Sequence, residues 1–371
     1  MPPRMLERVI LKGYKSFSHL DLLLEPVNVL IGANGSGKSN FISLFKLLHR
    51  MMEESLQVHV AQSRGADQIL HHGRKATDQI DIELWFKQND LANGYACTLI
   101  PVEDTLLIKA ESTWFHDRRS YPAPYLDQSD DLLKRESSLS RWVKNSRVSR
   151  YVYQAMRSWR VYHFHDTSES ARIRGLCDIH DNQSLHPEGA NLAAYLYLLR
   201  ERYYDYYRAI VETVRLVAPF FGDFVLRPSP YNPEKIRLEW KERGSDTVFS
   251  PGAFSDGTLR FICLATLFLQ PSKGMPATII IDEPELGLHP YAIKLLSEMI
   301  YSVAHQVQSI VSTQSVTLIN QFAAQEVLVV DRIEGVSVIR RLDEAEIAHW
   351  LDDYSLGDLW EKNVFGGRPE R

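Results

Sequence analysis

Residues 32–39, GANGSGKS, follow directly on the apolar run VNVLI at 27–31 and precede apolar residues at helical spacing, Phe41, Leu44, Phe45, Leu47 and Leu48. Strand, glycine-rich turn and helix in this order restrict the fold more than any other stretch, because glycine, four residues, then Gly-Lys-Ser is the P-loop pattern. A loop that grips triphosphate oxygens aims several backbone N–H groups inward, and β-carbons would obstruct them; hence glycine at 32, 35 and 37. The helix expected from about Lys38 adds the positive end of its dipole. Lys38 would reach the β- and γ-phosphates, and the Ser39 hydroxyl would ligate Mg2+. The expected nucleotide contacts are Gly32, Ala33, Asn34, Gly35, Ser36, Gly37, Lys38, Ser39 and Asn40.

A chain of 371 residues is about the length of two lobes or domains. Its 44% hydrophobic and 24% charged residues describe an ordinary globular protein. A formal charge of -5 argues against coating nucleic acid over the whole surface, so any basic footprint is local. The longest apolar run, 261–269, is far short of the roughly 20 residues of a membrane span, and no secretory signal pattern opens the chain. Cys97, Cys177 and Cys263 are widely spaced without a CxxC pair. They read as reduced thiols in a cytoplasmic protein, without a structural zinc.

Strands are expected at 8–12, 19–24 and 27–31, a helix from the P-loop to about 54, and an irregular stretch at 57–74. The alternation at 79–86 and the runs at 95–101 and 105–111 continue an antiparallel sheet. From about Trp114 helical patterns dominate, with 121–131 read as a surface loop and helices at 191–199 and 206–220. Tyr195, Tyr197, Tyr203, Tyr204, Tyr206 and Tyr207 crowd the junction between those helices and read as half-buried packing residues rather than base-stacking ones. The one strongly basic segment is 134–160, where Arg141, Lys144, Arg147 and Arg150 at i+3 would share one drifting helical stripe. That stripe is either a phosphate-backbone contact or a solvated helix face.

A second set of phosphate-binding features lies near the C-terminal end of the chain. Ser255, Asp256 and Gly257 open an apolar helix, presenting a hydroxyl, free N–H groups and a dipole. The buried strand 277–281 ends in Asp282 and Glu283, one carboxylate for the metal and one for polarising the attacking water. A further strand, 308–312, delivers Gln314 to a strand end, where it would sense the γ-phosphate.

GANGSGKS, FSDGTLR, IIIDEPELGLHP and VSTQS, in this order, resemble the Walker A, signature, Walker B with D-loop, and switch motifs of ABC-type ATPases. More narrowly they resemble the RecF, SMC and OLD-like group of DNA-associated heads. The fold implied is α/β: an ABC-type P-loop head, a mixed sheet with central parallel strands plus N-terminal antiparallel strands, carrying a helical insertion lobe. The expected division is 1–113 and 236–345 for the head, 114–235 for the lobe and 346–371 for a tail that docks on the head or on a partner. The resemblance implies ATP and Mg2+ as ligands, Asp282 and Ser39 on the metal, Gln62 or Gln68 as the glutamine linking metal to lobe, and Glu283 and Gln314 as catalytic residues. It also implies a homodimer in which Ser255 and Gly257 touch the nucleotide held at Lys38 of the second copy.

The family usually has histidine where this chain has Gln314; glutamine hydrogen-bonds but takes up no proton, which implies slow or differently gated turnover. No nuclease constellation is visible, so chemistry on DNA would come from a separate nuclease or effector subunit. The function implied is an ATP-driven clamp or switch on DNA or a DNA-processing partner, in repair, recombination or defence, with no membrane partner. The competing reading is an ATP-bound scaffold with little turnover.

Overall fold

The computed structural model describes residues 5–367, the side chain of Gln88 excepted. Its contacts gather into two units. One takes Met1–Val161, Pro276–Ile280 and Ala304–Arg371; the other takes Tyr162–Met275 and Ile281–Val303. The segment 114–161, grouped with the helical middle on sequence grounds, therefore packs with the first unit.

The first unit begins with β1 (Met5–Tyr14), β2 (Phe17–Leu23) and β3 (Val27–Ile31), then α1 (Lys38–Met52) and α2 (Leu56–Gln62). A run of long strands follows: β4 (Ile80–Gln88), β5 (Leu91–Val102), β6 (Thr105–Asp117) and β7 (Tyr125–Asp130). Then come α3 (Leu139–Trp142), α4 (Arg147–Ser158) and β8 (Arg160–Tyr162). Six strands make one sheet in the order β2-β1-β4-β5-β6-β7, every neighbouring pair antiparallel. Two expectations are corrected here. Residues 125–130 are an edge strand and not a loop, and part of the supposedly irregular 57–74 is α2.

The second unit holds β9 (Cys177–Asp178), α5 (Leu192–Arg202), α6 (Tyr204–Val217), β10 (Phe221–Val225), β11 (Pro228–Ser229) and β12 (Asn232–Ile236). It continues through β13 (Glu239–Glu242), β14 (Val248–Phe249) and α7 (Asp256–Leu269). Helix α6 packs on α5 and α7, and the unit carries two three-stranded sheets, β10-β13-β14 and β11-β12-β9. Of the crowded tyrosines, Tyr195 and Tyr207 are buried as expected of packing residues, while Tyr203, Tyr204 and Tyr206 are exposed.

The remaining elements are β15 (Thr278–Asp282), α8 (Pro290–Val303), β16 (Gln308–Thr313), α9 (Val316–Ile319), β17 (Val327–Ile333), β18 (Val336–Arg341), α10 (Glu344–Leu351) and α11 (Leu356–Glu361). The second six-stranded sheet runs β18-β17-β3-β16-β15-β8, with β3 parallel to β16 and to β17 and an antiparallel β17–β18 edge. Every residue of β3 and β16 is buried, as strands covered on both faces require. Gln308, fully buried at the start of β16, donates to the carbonyls of Leu6 and Glu25 at 2.8 and 3.0 Å and accepts from Leu6 N–H, tying β1 to the parallel strands.

The core of the first unit is the apolar face of α1 (Phe41, Leu44, Phe45, Leu48) against both sheets. Trp159 closes it, stacked on Phe86 at 6.0 Å and edge-on to Phe45 at 5.0 Å, with its indole N–H on Thr278 Oγ1. Truncating a tryptophan this buried costs ~3–5 kcal/mol. The tail docks on the same unit: α11 packs on α9, Gly357 N–H donates to Asn320 Oδ1 at 2.6 Å and Gly367 N–H to Asp331 Oδ1 at 2.6 Å. No helix among the described residues is long and apolar enough to cross a membrane.

Candidate nucleotide site

The turn between β3 and α1 has the conformation that a phosphate cradle needs. Gly35 and Gly37 sit at φ of 79° and 123°, a region L-residues avoid. An added β-carbon on Gly37 would lie 2.2 Å from Ser337 Oγ, and one on Gly32 2.3 Å from the carbonyl of Val330. Helix α1 begins with no side-chain cap and no acid in its first turn, so its leading N–H groups and dipole face the loop unopposed. Lys38 is buried and folds back to donate to the carbonyls of Gly32 and Ala33. The Ser36 hydroxyl is buried without a hydrogen-bond partner, while Ser39, where Mg2+ is expected, is exposed. An uncapped helix start, inward glycines and an orphaned hydroxyl suit a triphosphate with its metal.

Beside this loop lies a cavity of about 670 Å³ lined by, among others, Lys15, Asn40, Gln68, Arg74, Lys75 and Arg332. Gln68 belongs to its lining, in the short helical turn Ala66–Gln68, whereas Gln62 ends α2 and is not part of it. Burial, with Lys46 adding like charge, holds the Lys15 ammonium below its usual range. The Lys15 Nζ donates to Ser43 Oγ at 2.8 Å on α1. The switch residue reaches the same loop: Gln314, just past β16, donates from Nε2 to Asn34 Oδ1 at 2.8 Å.

In the second unit, Ser255 is the N-cap of α7, its Oγ accepting from Thr258 N–H at 3.2 Å, and it is exposed at the helix start. Gly257 packs directly on the loop after the carboxylate pair: an added β-carbon would lie 2.2 Å from the Gly287 carbonyl. Asp282 and Glu283 are partly exposed, and Glu283 has φ 44°, left-handed for a residue with a side chain.

Two residues that sequence reasoning gave no role lie in this unit. His165 donates from Nε2 to the carbonyl of Asp282 at 2.8 Å, and Arg260 binds three carbonyls around it. Arg260 was visible in FSDGTLR, but a lone histidine in an irregular segment carries no spacing signal.

The basic stripe is corrected. Arg141 lies in α3 and Lys144 in the turn after it, while Arg147 opens α4 behind its cap Ser146, so no single helix aligns the four. All four are exposed, and Arg150 turns its guanidinium to the Val143 carbonyl at 3.0 Å. Asp127 of β7 accepts from Ser146, Thr113 and Ser149, fixing the start of α4 to the sheet.

Parallel central strands, an antiparallel N-terminal sheet and a glycine cradle at the end of β3 give the architecture of an ABC-type P-loop head. Residues 111–320, more than half of the chain, match the family described as "AAA domain, putative AbiEii toxin, Type IV TA system", and the chain belongs to that family. Residues 5–175 match the "AAA ATPase domain" family. The chain is similar to the OLD nuclease of Thermus scotoductus, 23% identical over 383 residues, covering 96% of this chain and 68% of that protein. A Smc head bound to the C-winged helix domain of ScpA shares the fold at 17% identity with a TM-score of 0.59, covering 92% of this chain and 98% of that one. A Smc head with an extended coiled coil, bound to the C-terminal domain of ScpA derived from Pyrococcus furiosus, does so at 17% identity and 0.57, covering 95% and 99%.

Proposed function

We propose that this chain binds and hydrolyses MgATP, dimerises on it, and acts as a clamp or switch on DNA or on a DNA-processing partner. The observation that carries the reading is the loop at 32–39: an uncapped helix start with a buried lysine turned into the loop carbonyls and a buried hydroxyl left without a partner. In this reading Lys38 and the loop N–H groups hold the phosphates, Ser39, Asp282 and Gln68 hold Mg2+, Glu283 is the general base and Gln314 orients the attacking water. The metal supplies charge neutralisation on the phosphate oxygens. Ser255 and Gly257 close the nucleotide site of a second copy, making a homodimer with two shared sites.

DNA as the target is supported by likeness to an OLD nuclease and by the exposed basic residues Arg141, Lys144, Arg147 and Arg150 on a chain that is otherwise acidic. A separate nuclease or effector subunit would do any cutting, in a repair, recombination or defence setting inside the cytoplasm. A second reading, an ATP-bound scaffold with little turnover, is favoured by one contact, the Gln314 amide resting on Asn34.

Steady-state MgATP turnover, measured with and without DNA for the wild type and Glu283→Gln, separates the two. The enzyme reading expects a fall of about 100-fold or more in the variant with nucleotide binding kept. Wild-type turnover no faster than the variant's leaves only the scaffold.

A further inference from the structure

Inside the second unit, one histidine and one arginine attach the carboxylate pair to the helix that starts at the signature serine. A carbonyl oxygen only accepts, so the 2.8 Å contact between His165 Nε2 and the Asp282 carbonyl makes the imidazole the donor. That carbonyl belongs to the peptide linking Asp282 to Glu283, and its direction is coupled to φ of Glu283. Glu283 holds φ 44°, and the next residue is Pro284. Left-handed backbone is unfavourable for a glutamate and is narrowed further before proline, so the peptide needs an external hold to stay there.

His165 is itself held. Arg260, one turn into α7, donates from Nε to the Phe164 carbonyl at 2.9 Å, from Nη2 to the His165 carbonyl at 2.7 Å, and from Nη1 to the Leu286 carbonyl at 2.7 Å. The fork thus joins the histidine's backbone, the loop after the carboxylates and the signature helix. Gly257 meets that loop so closely that a β-carbon on it would lie 2.2 Å from the Gly287 carbonyl, and Gly287 itself holds φ 73°.

We propose that His165 is a positioning residue for Glu283: its Nε2–H fixes the 282–283 peptide and so aims the glutamate carboxylate, while Arg260 ties that aim to the signature helix. The inference rests on the reading of Glu283 as general base. It supplies a physical link within one chain between what Ser255 and Gly257 touch and where the base points.

The test uses the full chain and three variants, His165→Leu, His165→Gln and Glu283→Gln, with MgATP turnover, affinity for a fluorescent ATP analogue and thermal melting as readouts. Leucine fills the space without a donor; the glutamine amide restores one near Nε2. The expectation is that H165L loses about tenfold or more in kcat with KM and analogue affinity within about twofold of wild type, and that H165Q recovers most of the loss. If H165L does not fold, His165→Asn, whose amide falls short of the carbonyl, replaces it with the same expectation. Three results overturn the proposal: H165L turnover within about twofold of wild type, equal loss in H165L and H165Q, or a loss carried by KM and affinity with kcat kept. In each of these the wild type still outruns E283Q, so the ATPase reading stands. Wild-type turnover equal to that of E283Q overturns both.

Discussion

At the scale of single residues, space matters as much as chemistry. Gly37 combines φ 123° with a neighbour 2.2 Å from where a β-carbon would sit, and Ser337 there is anchored in turn to Ser16 Oγ and the Ser36 carbonyl. Gly37→Ala should therefore push the loop off Ser337 and cost analogue affinity by about tenfold or more, which a titration with the fluorescent nucleotide checks. Affinity unchanged in G37A would mean that the loop does not hold phosphate through this backbone. Gln314 illustrates the opposite limit: it lies just past the end of β16, and its amide forms a bond to Asn34 that no spacing rule foretells.

At the scale of elements, α2 introduces a pH dependence. Burial, with Lys15, Arg50 and Lys46 adding, pushes the imidazole of His59 down to about 4, against an ordinary value of 6.5. The unfolded chain takes up a proton below 6.5 where the folded chain does not, so His59 favours folding fully above that pH and withdraws the contribution as pH falls to about 4. His59→Gln should flatten the fall of the urea midpoint across this window, and an identical slope in wild type and variant would contradict it. Such elements also show how much the sequence disclosed. The strands at 8–12 and 19–24 and helix α1 stood out because each buries a periodic face, and 27–31 because it is a short, nearly uninterrupted apolar run, buried throughout. Helix α2 buries only Leu56 and Val60, too few for a period. Strand β7 owes its place to pairing with β6 while most of its side chains stay partly or fully exposed, so no alternation announced it. The break between α3 and α4 was readable at Ser146, an N-cap residue ahead of an amphipathic run, but regular spacing of the cations obscured it. The His165 bond to Asp282 and the Arg260 bonds to Phe164 and His165 join segments over 90 positions apart, beyond any local pattern.

At the scale of the whole molecule, the sequence carries one P-loop pattern and one signature-like motif, and Ser255, the N-cap of α7, is exposed. In the proposed homodimer, a closed two-fold arrangement would complete both sites with the same surface. The most direct measurement mixes a Lys38→Ala copy with a Ser255→Ala copy, each inactive alone, and follows MgATP turnover. Random pairing leaves one intact pocket in half of the dimers, so turnover should return to about a quarter of the wild-type rate per chain. A mixture as inactive as its two components would contradict the shared site.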